Sequence, residues 1–244
     1  MLEEALFQSV IFEDWEKATE ISSKILSNDK NNVSAIFFTL TNSIINKQPI
    51  NNYLKESHSQ YLDINFLKAI FLWTNIEQSN VDKLNIEDCV PLICLHKGML
   101  LLVEGKKKEA LTFLTKVEEL NLSSVRIKEL LFYSFLKLNK KNKAEKFFKE
   151  MSLKDSNLKP YRMSYFLNND YLLNPIKTQK DGLAEILYNI SSWYYQKNLL
   201  KYSIFFGKLS LRIRPNFNAM KLLVANALEE IGYEQLAIEL ISNV

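Results

Sequence analysis

Cys89, Cys94 and His96 fall within eight residues of one another, and three such ligands so close together invite a zinc reading. A structural zinc site needs a fourth ligand at comparable spacing. The only other His or Cys is His58, thirty-one residues before Cys89, and Pro91 interrupts the set. On a helix, positions five apart diverge by about 140° around the axis, so the two thiols should not bridge. They are expected to be buried structural cysteines, and no metal is expected.

Carboxylates come in adjacent pairs at Glu3-Glu4, Glu87-Asp88, Glu118-Glu119 and Glu229-Glu230. Paired acids can act as general acid and base. Neighbours on a helix, however, point about 100° apart, so none of these pairs can share one substrate atom. Glu87 and Asp88 after Asn85 read as a capped, acidic first turn. Asp181 likewise reads as the N-cap of a later helix. His58, in Glu56-Ser57-His58-Ser59, has no nucleophile elbow to serve. No two of the five glycines lie closer than seven residues, which excludes phosphate-cradling glycine loops. These absences point away from an enzyme, and no cofactor is expected.

Basic residues outnumber acidic ones only slightly, for a net charge of +3, and 27 of the 31 are Lys. The four arginines, Arg126, Arg162, Arg212 and Arg214, are a thin set for reading base edges or phosphates, which need the guanidinium fork. No specific nucleic-acid binding is expected. The clusters Lys106–Lys108 and Lys137–Lys149 read first as solvated turns and surfaces, and secondarily as a patch for phosphate or an acidic partner. The run Cys89–Val103 is too short and too polar to cross a bilayer, and the acidic start Met1-Leu2-Glu3-Glu4 is unlike a signal peptide.

The elements that would carry these residues are helices. A chain with 47% apolar residues, five Gly and five Pro has few turns to offer. Leu100 to Leu120 and Leu130 to Met151 each show an apolar run at three-and-four spacing. A polar break follows, at Gly105-Lys106-Lys107-Lys108 and at Asn139-Lys140-Lys141-Asn142-Lys143, and then a second run. Small residues early in each second helix are 34 apart, Ala110 to Ala144 and again Ser203 to Ala237. Ala18 anchors a similar unit.

A 34-residue helix–turn–helix unit resembles the tetratricopeptide repeat. Around Ser203 the resemblance is carried by Ser191, Tyr194, Ser210 and Pro215, with Gly207 where a large residue is usual. Around Ala110 it rests on Gly98, Leu101 and Leu114, around Ala144 on Phe135 and Phe148, and around Ala237 on Ala225, Leu228 and Ile241. The Ala18 unit departs at Leu6, Ser22 and Lys30. The stretch from Asp181 to Pro215 is also similar to longer bacterial proteins of that family.

The resemblance implies an all-α fold, a right-handed α-solenoid of antiparallel helix pairs with two irregular insertions. The expected layout is one domain over 1–244. It has irregular N-terminal repeats at 1–90, two regular repeats at 91–155, an insertion at 156–183 and two C-terminal repeats at 184–244. Within the insertion a short helix is expected near Leu158 to Leu167.

The resemblance also implies that the first helix of each pair faces a concave groove. In this register the groove should present Met99, Arg126, Glu129, Tyr133, Tyr188, Ser192, Tyr195, Asn226 and Glu229. Tyrosines among a few polar groups suit an extended peptide or a partner helix. The expected function is therefore a non-catalytic protein–protein interaction scaffold. The rival readings are a helical-repeat RNA binder and the non-catalytic arm of a larger enzyme or envelope assembly. The expected compartment is the cytoplasm, or the periplasm if a leader precedes the chain. The apolar final run Leu236, Ala237, Ile238, Leu240, Ile241 and Val244 suggests a piece of a longer array, able to meet a further helix or to self-associate end to end.

Overall fold

The computed structural model describes residues 1–48, 62–74, 86–122, 124–154, 162–169 and 173–242. Among these the chain is all-helical, without strands. His58, Asn85 and Pro160 lie outside the described residues. Two compact units form, one from residues 1–79 with 183–244, the other from 80–182. The helices nearest both chain ends thus share a unit.

Helix pairing follows directly from the turn residues. The pairs are α1 (Leu2–Ile11) with α2 (Trp15–Asn28), and α5 (Pro91–Val103) with α6 (Lys107–Glu119). Next come α7 (Val125–Lys137) with α8 (Lys141–Lys154), α10 (Gln179–Gln196) with α11 (Leu200–Ile213), and α12 (Asn218–Glu230) with α13 (Glu234–Ile241). In each turn one residue has positive φ: Glu13, Gly105, Asn139, Asn198 and Gly232. Each stands five residues before the anchors Ala18, Ala110, Ala144, Ser203 and Ala237. The next N–H closes the turn on a carbonyl five residues back, as in Lys106 N–H to Leu101 O and Tyr233 N–H to Leu228 O, both at 2.8 Å. Glycine adopts this conformation without strain, and Asn tolerates it better than most residues. The same turn ends α3 (Val33–Ile45), where Lys47 has positive φ.

Small anchors then let the paired helices close. Ala18, Ala110, Ala144 and Ser203 are fully buried. Ser191 Oγ donates to Ser203 O at 2.7 Å, and Ser210 Oγ to Ala184 O at 2.8 Å, so neither buried hydroxyl lacks a partner. In the first unit, α1 and α3 pack on α11 through aromatic rings. Phe7 lies 4.9 Å from Tyr202 and 4.8 Å from Phe205, and Phe37 lies 5.2 Å from Phe206. These contacts explain why residues near the start join the later pairs. The unit also contains α4 (Ile64–Thr74), with Trp73 buried.

In the second unit the short α9 (Tyr165–Asn168) sits against the α7–α8 pair. Of the helix expected near 158–167, residues 165–167 are helical, 162–164 precede α9 outside any helix, and 158–161 lie outside the described residues. Phe166, fully buried, lies 5.6 Å from Phe132 and 5.8 Å from Phe148. Three sequence expectations need correcting here. Cys89 and Cys94 are paired, with Cα atoms 5.5 Å apart. The helical-angle argument fails because Cys89 precedes α5, which starts at Pro91. Glu87 and Asp88 belong to a 3-10 turn, Ile86–Asp88, and not to the first turn of a helix. Asp181 is inside α10, and Thr178 caps it. The Asp181 N–H donates to Thr178 Oγ1 at 3.1 Å, and Thr178 N–H donates back to the Asp181 carboxylate at 2.9 Å.

Candidate binding faces

Of the second-unit residues expected in a groove, Met99, Arg126 and Tyr133 are buried, and Glu129 is half-buried. What covers the α7 face is the chain's own segment from Leu173 to Ile176, all four residues buried. Arg126 reads its backbone. Nη1 donates to Leu173 O at 2.7 Å, Nη2 donates to Asn174 O at 2.8 Å, and Nη1 also meets Glu129 Oε2 at 3.0 Å. A guanidinium 5% exposed would be costly without such partners; here two carbonyls and a carboxylate satisfy it. Asn174 has positive φ, a conformation that Asn tolerates.

Further along α7, Ile176 and Lys177 line a cleft of about 280 Å³ with Leu102, Val103 and Tyr133, and Lys107 and Lys137 complete the wall. From Arg126 to Tyr133 is seven residues of helix, about 10 Å of rise. This strap meets Arg126 through the carbonyls of Leu173 and Asn174 and shares the cleft with Tyr133 through Ile176.

In the first unit the expected residues are more open. Asn226 and Glu229 are exposed, and Tyr188, Ser192 and Tyr195 are half-buried. Tyr188 rests against Phe217 with ring centroids 5.5 Å apart, so it is partly committed to packing. The Tyr195 hydroxyl donates to Glu230, and that bond to a carboxylate raises its pKa above the ordinary tyrosine value. Leu222 stands on the same helix as Asn226 and Glu229, half exposed. A second cleft of about 310 Å³ in this unit lies among Ile11, Phe12, Leu236 and Leu240. At its wall the buried Lys208 pairs with Glu13 at 2.6 Å.

His96 is fully buried, and that burial pulls its pKa down to about 3. Among the described residues no group of His, Cys, Asp and Glu is placed to hold a metal ion. No described helix is long and apolar enough to cross a membrane.

Sequence reasoning missed the strap. Its signal was present as Leu173 and Pro175-Ile176, apolar residues around Asn174 within the insertion at 156–183. The chain matches no protein-family model and no curated protein.

Proposed function

We propose that this protein is a non-catalytic interaction scaffold of the tetratricopeptide type, whose first-helix faces bind an extended peptide or a partner helix. The observation that supports this most is the strap. The α7 face receives an irregular stretch of chain by donating to its carbonyls and burying its apolar side chain, as a groove for extended peptides does. The recurring turn geometry supports the repeat reading, since five pairs share one closure at one distance from their anchors. In this reading Tyr195, Asn226 and Glu229 form the part of the surface open to a partner, with Leu222 as its apolar contact.

The test is capture of partners by photo-crosslinking from the native cell extract, comparing the natural chain with a Tyr195→Ala, Asn226→Ala double variant. Both side chains are partly or fully exposed, so the helical circular dichroism should not change. Capture should fall several-fold. Unchanged capture with an unchanged spectrum would contradict the role of this face.

A further inference from the structure

The lysine clusters resolve into two kinds in the folded chain. Some are engaged in ion pairs: Lys106 with Glu104 at 2.8 Å, Lys146 with Glu118 at 3.4 Å, Lys149 with Glu145 at 3.1 Å, and Lys143 with Glu118; outside the clusters, Lys128 pairs with Glu150. Among the described residues Lys107 and Lys137 stand in none of these pairs, and the fold brings them to one place. Thirty residues apart in the chain, both line the cleft at the ends of α5 and α7, and Lys177 of the strap joins them.

The cleft has an apolar floor of Leu102, Val103 and Ile176, and none of the described residues lining it is acidic. Lys137 Nζ stands 5.3 Å from the centre of the Tyr133 ring, which keeps that cation over the floor. Asp181 is engaged nearby: its carboxylate accepts from Lys177 N–H at 3.0 Å and from both Thr178 N–H and Thr178 Oγ1 at 2.9 Å. At about 280 Å³ the cleft has room for side chains of a polypeptide.

We propose that this cleft binds an acidic residue flanked by aliphatic ones in an extended peptide. The aliphatic side chain would rest beside Ile176, and the carboxylate would meet Lys107 and Lys137. This rests on the reading of the first-helix faces as binding surfaces, and charge complementarity selects the occupant.

The test is fluorescence polarisation on the full chain with a labelled eight-residue peptide of alternating Ile and Glu, acetylated and amidated so that only side chains carry charge. Its partner peptide has Gln at every Glu position. The acidic peptide should bind at least about tenfold more tightly, and weaken as salt rises from 0.05 to 0.3 M. Lys107→Gln and Lys137→Gln should each weaken it several-fold, while Lys24→Gln in the first unit should change nothing. Equal binding of both peptides, untouched by the two substitutions, would overturn the acidic preference and leave the peptide-binding face standing. Binding of neither peptide to the folded chain would overturn the inference together with the reading of this face. Displacement of the acidic peptide by an equal concentration of inorganic phosphate, or tighter binding of oligouridine than of the peptide, would assign the cleft to a different anion and refute the proposal.

Discussion

Gly207→Ala should destabilise the first unit although alanine is the better helix former. Gly207 lies in the middle of α11, and alanine there gains about 1 kcal/mol of helix propensity. A methyl group at this position would stand 2.3 Å from Val224 Cγ2, 2.8 Å from Met220 Cε and 3.3 Å from Ser191 Oγ. The end of Met220 can swing aside. Val224 is fully buried and, being β-branched, is stiff about χ1, so either it leaves its rotamer or α12 retreats. Overpacking of this kind costs about 1–3 kcal/mol, and a contact so far inside van der Waals distance belongs at the upper end. The net loss should be about 1–2 kcal/mol. Adding Val224→Ala should recover part of it, because that change removes the clashing methyl. Trp15, Trp73 and Trp193 all belong to this unit, so urea titration followed by tryptophan fluorescence reads its stability separately from the second unit. A Gly207→Ala chain as stable as the natural one would refute the close approach of α11 and α12, and with it the register built on Ser203.

Other perturbations bear on the second unit. His96 is held neutral with a pKa of about 3, whereas in the unfolded chain it takes up a proton below about 6.5. Its contribution is therefore present above pH 6.5 and lost as pH falls. Between pH 7 and pH 5 the loss should be about 2 kcal/mol; urea titrations at the two pH values check it, and an unchanged pH dependence in His96→Phe would contradict it. Ala110→Leu or Ala144→Leu should each cost about 1–3 kcal/mol by circular dichroism, because both anchors are fully buried between paired helices. Arg126→Leu should leave the carbonyls of Leu173 and Asn174 without their donor, so that amide exchange accelerates across residues 173–178 before it does in α7.

The pairs were legible because their signals are local. A positive-φ turn five residues before a small anchor is written in Gly105, Asn139, Asn198 and Gly232, and the apolar spacing on either side supplies the faces. What was not legible came from contacts distant in sequence. The join of α1 and α3 to α11 depends on rings such as Phe7 and Phe205, nearly two hundred residues apart, and no periodicity announces it. The candidate faces were half legible. The register placed Arg126, Glu129 and Tyr133 together on α7, but their burial depends on Leu173 to Ile176, which carry no repeat pattern. The cysteines show the same limit: a one-residue fact, the helix starting at Pro91, decides whether Cys89 can reach Cys94.

The claim that the first-helix faces receive extended chain is tested most directly by hydrogen exchange on the full chain with a peptide selected from a random display library. With such a peptide bound, protection should rise on α7, α10 or α12 near Arg126, Tyr195 or Asn226, or exchange should change across residues 173–178 if the strap is displaced. Protection confined to the outer surfaces of α6, α8 or α13, or failure of any peptide to enrich on the folded chain, would contradict the account.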